Sequence, residues 1–336
     1  MSIQTVNGII ADNDCKMVLS HEHLFIDLSN QAAPEASQRP VTAADRAQLM
    51  CDPYAIKDNL LINDFAAAKK ECEALVSAGC NLVVDCTTSE IGRNPALLKQ
   101  LSDTSGINIV MGCGFYTGDT HTEAFNSVSI DEAVENLLAE ITGGVNGIKP
   151  GVIGEIGTSA EILPSEYKAL EIAAKAQCAG NLTIQVHIYP WSNNGLEVVD
   201  FLSKRGVAPK KIVICHSDVE LNTEYIFKLL KLGVYVEFDN FGKEFTPAEG
   251  GFSAGRFALD KERCRVAAEI IRQNYGGQLL LTNDICLKCM LAEFGGAGYR
   301  HIFDNIVPML TDEGVEKEYI QEIILRQNPI KMLSIS

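Results

Sequence analysis

Short, continuously apolar runs alternate along this chain with longer segments whose apolar residues recur at helical spacing. Eight runs read as strands: 17–20, 81–86, 108–113, 152–156, 183–187, 212–216, 234–239 and 279–284. Most stay apolar until a polar residue at the C-terminal end. That suits parallel strands buried on both faces, because a solvated face would show a polar residue at every second position. Helix-period segments cover 58–78, 94–105, 130–141, 165–179, 222–232 and 258–275, and a further helix covers 316–326. Pro164-Ser165 opens one helix, and Gly79, Gly106, Gly180 and Gly206 close others. Eight strands with intervening helices predict an α/β fold, a (β/α)8 TIM-like barrel, as one domain over 1–336. Residues 27–57, rich in Ala, Pro, Gln and Asp, read as an insertion after the first strand, and 316–326 as a C-terminal helical extension. No internal repeat or low-complexity linker interrupts the pattern.

Composition narrows the function classes. The chain has 336 residues, 46% of them hydrophobic, enough for a large core. It carries 44 acidic and 28 basic residues, a formal charge of −16. Such a surface repels phosphate backbones and argues against nucleic-acid binding. No apolar stretch approaches the roughly 20 residues that span a bilayer. The first residues, Met1-Ser2-Ile3-Gln4-Thr5-Val6, lack a basic region and an apolar signal core. Eleven cysteines at irregular spacing would be a liability in an oxidising compartment. The expectation is a soluble, reduced, cytoplasmic protein.

Candidate chemistry gathers at strand ends, where barrels of this class place their active sites. His21-Glu22-His23 follows the first strand. Residues i and i+2 of a strand share a face, so two imidazoles project side by side, as a metal ion with Zn–N bonds of about 2.0–2.1 Å requires. Alone this triplet is a weak signal. Later strand ends add Glu155, His187, His216 and Asp284, so four of the six histidines fall at such positions. His121 and His301, in a loop and at a helix start, read as non-ligands. Six ligands are too many for one zinc and suit two divalent ions, bridged by a carboxylate and a hydroxide about 3.5–4 Å apart. Asp284 is the candidate to take the proton of that hydroxide and pass it to the leaving group. These ligand types accept Zn, and equally Mn, Co, Fe or Ni.

Several motifs together resemble the phosphotriesterase-related branch of the amidohydrolase superfamily. They are His21-Glu22-His23-Leu24, Gly112-Cys113-Gly114-Phe115-Tyr116, Gly154-Glu155-Ile156-Gly157-Thr158-Ser159, Cys215-His216-Ser217-Asp218, Thr282-Asn283-Asp284 and Gly295-Gly296-Ala297-Gly298-Tyr299. They occur in order over nearly the whole chain. The resemblance implies a binuclear centre, usually of zinc. It implies that His21, His23 and Asp284 hold the buried metal, that His187 and His216 hold the exposed one, and that position 155 bridges them. Many relatives bridge with a carboxylated lysine; here the position is Glu155, and Lys149 falls six residues too early. Glu-bridged relatives include the phosphotriesterase homology proteins and the animal phosphotriesterase-related proteins. The stretch 147–157 is most similar to the animal-type branch, which is associated with hydrolysis of N-acetyltaurine. The resemblance also implies that Tyr116 sits beside the metals and helps polarise a carbonyl, and that the protein is a homodimer.

Substrate contacts are read from the loops. Trp191, the only Trp, follows the fifth strand and can wall a pocket. Lys243, Lys288 and Arg93 can clamp an anionic group, against the alternative of solvated loop cations. Cys286 and Cys289 form a lone CxxC, weak support for structural zinc or redox chemistry. Cys86, Cys113 and Cys215 read as small buried hydrophobes. Gly295-Gly296-Ala297-Gly298 lacks the phosphate-loop pattern and reads as a flexible lip of the active-site loop. The expected function is a binuclear metal-dependent hydrolase acting on a small anionic lactone, carboxylic ester or N-acyl amide by attack of the bridging hydroxide. The alternatives are an organophosphate triester hydrolase and a non-catalytic metal-containing binding protein.

Overall fold

All eight expected strands form and pair in parallel. The structure is a computed structural model that describes residues 1–247 and 253–335. A hairpin of β1 (Ser2–Thr5) and β2 (Gly8–Ala11) precedes the first barrel strand, β3 (Met17–Glu22). Short strands β4 (Ile26–Asp27) and β5 (Leu61–Ile62) pair antiparallel. The other barrel strands are β6 (Cys80–Asp85), β7 (Asn108–Cys113), β8 (Val152–Gly157), β9 (Ile184–His187), β10 (Ile212–Ile214), β11 (Tyr235–Phe238) and β12 (Leu279–Leu281). The sheet runs β12-β11-β10-β9-β8-β7-β6-β3, sequence neighbours lying side by side, as right-handed βαβ crossovers dictate. The seam between its end strands is bridged by a side-chain bond and a backbone bond. Thr282 Oγ1 donates to the His21 carbonyl at 2.8 Å, and the Asp284 N–H donates to the same carbonyl at 3.2 Å.

Two apolar cores follow from strands buried on both faces. Val18, Leu82, Val84, Val110, Val152, Val213 and Leu280 point inward and fill the barrel. Ile3 of the hairpin and Met332 and Leu333 of the last helix join that cluster, so both chain ends close over one mouth. The alternate residues, such as Leu19, Val83, Ile109 and Ile153, pack outward against the helices. A fully buried aliphatic side chain of this kind is worth about 1.5–3 kcal/mol.

The helices largely keep their expected places, with informative exceptions. The helix expected over 58–78 spans Phe65–Ser77. Asp64 caps it by accepting the Ala66 and Ala67 N–H groups at 2.8 and 3.1 Å, and Leu61–Ile62 is drawn into pairing with β4. The insertion is therefore pinned at its base by the β4–β5 pair, and runs on to residue 60. A helix at Gly195–Ser203 was hidden by the turn-like Asn193-Asn194-Gly195, and one over 302–312 by Pro308. The C-terminal extension begins at Lys317 and continues as helix to Leu333, with a wide π-type register over Ile320–Gln327.

Candidate metal centre

The side chains read as ligands converge at the C-terminal mouth of the barrel. Glu155, on β8, is the hub. Its Oε1 lies 3.3 Å from His23 Nε2, and its Oε2 lies 3.6 Å from His21 Nε2, 3.5 Å from His187 Nδ1 and 3.4 Å from His216 Nε2. Asp284 Oδ1 is 3.1 Å from His23 Nε2 and 3.8 Å from His21 Nε2. The donors divide into two triads, His21-His23-Glu155 and Glu155-His187-His216, whose atoms lie within 4.8 Å of one another and which share Glu155.

The hydrogen bonding inside this cluster is incomplete. His21 Nε2 and Glu155 Oε2 are buried and have no hydrogen-bond partner. Buried polar atoms are normally paired, because leaving one unpaired costs about 1–3 kcal/mol. Two orphaned donor atoms facing one another among imidazoles and carboxylates are what a bound cation would satisfy, and the set of His and carboxylate donors suits divalent ions. The residues therefore fit a metal centre.

The opposite edge of three of the four rings is fixed by other groups. His21 Nδ1 meets Glu237 Oε2 at 3.1 Å, His23 Nδ1 meets Thr87 Oγ1 at 2.9 Å and His216 Nδ1 meets Asp239 Oδ1 at 3.0 Å. Such partners set the tautomer and aim the other nitrogen at the ion. Glu237 is buried and also accepts Ser20 Oγ at 2.6 Å. Glu237 and Asp239 escaped the sequence reading; the alternation within Tyr235–Phe238, with one acidic residue inside an otherwise apolar strand, is the signal that marks Glu237. A second donor group, His21, Cys215, Glu237 and Asp239, lies within the same 4.8 Å limit. Its contacts run through the far edge of His21, so it supports the first set.

Backbone geometry also serves the site. His216 and Asp284 both have positive φ, 57° and 47°, which costs a non-glycine residue of order 1–3 kcal/mol and turns each side chain out of its strand line. The His216 N–H is held at 2.9 Å by Asp239, and Asp284 by its bond to His21. Gly157 lies against the Tyr116–Thr117 backbone, where an added Cβ would come within 2.2 Å of the Thr117 nitrogen. The absence of a side chain there lets Tyr116 reach the mouth.

The electrostatics follow from crowding charges in a dry place. Burial opposes charge on His23, yet Asp284 and Glu155 outweigh it and push its imidazole up to about 9. His216 is raised to about 10 against the same penalty, chiefly by Asp239. Burial also opposes ionisation of Asp284, but the Lys243 ammonium and the histidines hold its carboxyl well below the usual range. His187 is lowered, by burial and by neighbouring His216.

A cavity of about 420 Å³ opens over the cluster. Ile26 and Leu28 from the first loop, Trp191 after β9, and Phe245 and Phe257 after β11 form an apolar wall. Tyr116 lines it too, its hydroxyl 3.3 Å from His187 Nδ1. Lys243 lines it and hydrogen-bonds Asp284. Two expected substrate cations are elsewhere. Lys288 pairs with Asp58 at 2.6 Å and ties the insertion to the loop after β12. Arg93 is spent on Glu140 and the Gly112 carbonyl, both at 2.6 Å. In each case a nearby acceptor within the protein has captured the charge.

Other residues resolve simply. His121 bonds the Tyr116 carbonyl at 2.9 Å and His301 bonds Asp260 at 2.6 Å; neither joins a ligand triad. Cys286 lines the cavity, whereas Cys289 is buried with its N–H on Asn59 Oδ1 at 2.8 Å; both thiols are free. Gly295–Gly298 is no lip of the cavity. It is a turn bonded back to Leu291 and Met290, and a Cβ on Gly296 would meet the Met290 carbonyl at 1.9 Å.

Comparison with known proteins gives matches over nearly the whole chain. A family model described as the phosphotriesterase family matches residues 1–333. An N-acetyltaurine hydrolase of Xenopus tropicalis is 31% identical over 344 residues, covering 99% of this chain and 97% of that protein. Among solved structures, a resiniferatoxin-binding protein from Rhodobacter sphaeroides superposes with a TM-score of 0.94 at 28% identity, covering 99% of this chain and 95% of the other. A weak promiscuous lactonase used as a template for engineering organophosphate hydrolysis superposes with a TM-score of 0.79 at 25% identity, covering 99% and 100%.

Proposed function

The chain belongs to the phosphotriesterase family and is a metal-dependent hydrolase; from that premise we propose that it uses two divalent ions to hydrolyse a small lactone, carboxylic ester or N-acyl amide. His21, His23 and Asp284 would hold one ion, His187 and His216 the other, with Glu155 shared between them. The observation that supports this reading is the pair of buried, unpartnered atoms, His21 Nε2 and Glu155 Oε2, inside two triads of five candidate ligands, with Asp284 Oδ1 3.1 Å from His23 Nε2. Divalent ions bound there supply Lewis acidity, lowering the pKa of a water and polarising a carbonyl oxygen.

The chain's own residues divide the remaining work. Asp284 stands at the edge of the cavity, where its carboxylate can accept the proton of the attacking water and deliver it to the leaving oxygen or nitrogen. The Tyr116 hydroxyl, beside His187, is placed to donate to the carbonyl oxygen as charge develops on it. Trp191, Phe245 and Phe257 form an apolar wall for the acyl or alcohol portion and exclude water from it. Relatives that hydrolyse an N-acetylated amine, and a structural neighbour with lactonase activity, support both bond types for the same site.

A screen of the metal-loaded protein separates them. Lactones and carboxylic esters are followed with a pH indicator, because their opening near neutral pH releases a net proton. N-acetyltaurine and N-acyl amino acids are followed by released amine, because amide cleavage yields a carboxylate and an ammonium with almost no net proton. The proposal expects one of these signals, dependent on added metal and lost in Asp284→Asn. Turnover that survives Asp284→Asn, or a metal-loaded protein silent on both panels, would count against it and favour the non-catalytic binding protein.

A further inference from the structure

Lys243 is the only lysine or arginine lining the cavity among the described residues, and residues 248–252 and 336 include no lysine or arginine. An anionic substrate group that pairs with a lysine or arginine in this cavity would have to find that ammonium. We infer that Lys243 is a positioning residue for Asp284 and does not anchor a substrate anion. This rests on the hydrolytic reading above.

The argument starts from how the two oxygens of Asp284 are shared. Oδ1 faces the ligand histidines, 3.1 Å from His23 Nε2, while Oδ2 accepts a hydrogen bond from Lys243 Nζ. Both residues are buried, Lys243 5% and Asp284 4% exposed. Lys243 carries three N–H donors, and turning them to a substrate sulfonate or carboxylate would weaken its hold on a buried carboxylate, which is unfavourable. The ammonium instead fixes the rotation of the carboxylate, so that one oxygen is presented to the ligand cluster.

The backbone carrying Lys243 is held for this purpose. Its N–H donates to the Asn240 carbonyl at 3.0 Å. The Gly242 N–H donates to the Asp260 carboxylate at 3.0 Å, and the Asn240 N–H to Asp218 Oδ2, also at 3.0 Å. Arg263, fully buried, pairs with Asp218 at 3.1 Å and Asp260 at 2.9 Å and reaches the Lys243 carbonyl at 3.4 Å. One guanidinium thus brackets both sides of the turn.

The test compares wild type with Lys243→Met and Lys243→Arg on a neutral and an anionic substrate bearing the same scissile bond. N-acetylethanolamine beside N-acetyltaurine serves for an amide; γ-butyrolactone beside a carboxylated γ-lactone serves for a lactone. We expect Lys243→Met to lower kcat on the order of 10²-fold for both members, with KM unchanged within about threefold. Lys243→Arg, which can still donate to Oδ2, should recover part of kcat. A KM rise of about tenfold or more confined to the anionic member, at unchanged kcat, would overturn the inference, as would a variant indistinguishable from wild type. Calorimetric titration with taurine decides the anion question without turnover. Taurine that binds wild type but about tenfold more weakly in Lys243→Met would make Lys243 an anion anchor; affinity independent of residue 243 supports the inference. Wild type inactive on every substrate would defeat the hydrolytic reading, and the titration would still report on Lys243.

Discussion

Replacing Glu22, the middle residue of the His21-Glu22-His23 triplet, should loosen the barrel seam beside Asp284. Glu22 points away from the ligand cluster and is fully buried. Its Oε1 accepts Thr282 Oγ1 at 2.8 Å and the Asn283 N–H and Nδ2 at 2.9 Å each; its Oε2 accepts the Ile285 N–H at 2.9 Å. Glu22→Gln can keep three of those donors on its amide oxygen but turns its NH₂ toward the Ile285 N–H. That loses one buried bond, about 1 kcal/mol. Glu22→Ala strips the acceptor from the Asn283 N–H and Nδ2 and the Ile285 N–H, while the Thr282 hydroxyl keeps the His21 carbonyl; at about 1 kcal/mol each, with water entering the gap, the cost is about 3 kcal/mol. Burial pushes the Glu22 carboxyl up to about 7 despite its bonds, so its charge opposes folding above that pH and would mask the lost bonds; unfolding is therefore followed at about pH 6, where the folded protein holds the group mostly protonated. Urea unfolding at fixed metal concentration, read by far-UV circular dichroism and by Trp191 fluorescence, gives the two values if the curves coincide. Asn283 and Ile285 flank Asp284, so kcat should fall with stability. Variants within about 0.5 kcal/mol of wild type would refute the reasoning.

Two further outcomes follow from particular contacts. Glu237→Leu removes the acceptor of His21 Nδ1 and should weaken metal binding about 10–100-fold, measured by competition with a chromogenic chelator; unchanged affinity would deny Glu237 its role. Glu90, whose carboxyl accepts the Tyr116 N–H at 2.8 Å, is raised by burial from 4.5 to about 7. The folded state therefore holds its proton more tightly than the unfolded chain, and stability from this group, full below pH 4.5, is lost as pH rises toward 7. Melting temperatures of wild type minus Glu90→Gln should decline across that window, and a flat difference would contradict the assignment.

The sequence made the barrel legible because doubly buried strands announce themselves as apolar runs ending in polar residues. The ligands at 21, 23, 155, 187, 216 and 284 stood out because His and carboxylates are rare at such ends. Glu237 and Asp239 did not, since the sequence does not reveal which residue faces the far edge of an imidazole. Arg93 and Lys288 were misread for a related reason: a loop cation looks alike in sequence whether it faces a substrate or, as here, Glu140 or Asp58. The helix at Gly195–Ser203 lay behind turn-forming residues that its packing on the barrel overrides. The glycine-rich 295–298 segment suggested mobility, whereas its glycines serve close backbone approach.

The central claim is that the six converging side chains hold two divalent ions. Its most direct test is elemental analysis of chelator-stripped protein after zinc titration, for wild type and for His216→Ala. The account predicts two tightly bound ions per chain in wild type and one in the variant, because His216 serves one triad while Glu155 and the His21-His23 pair remain. Wild type that retains no stoichiometric metal, or a His216→Ala protein that keeps both ions, would contradict it.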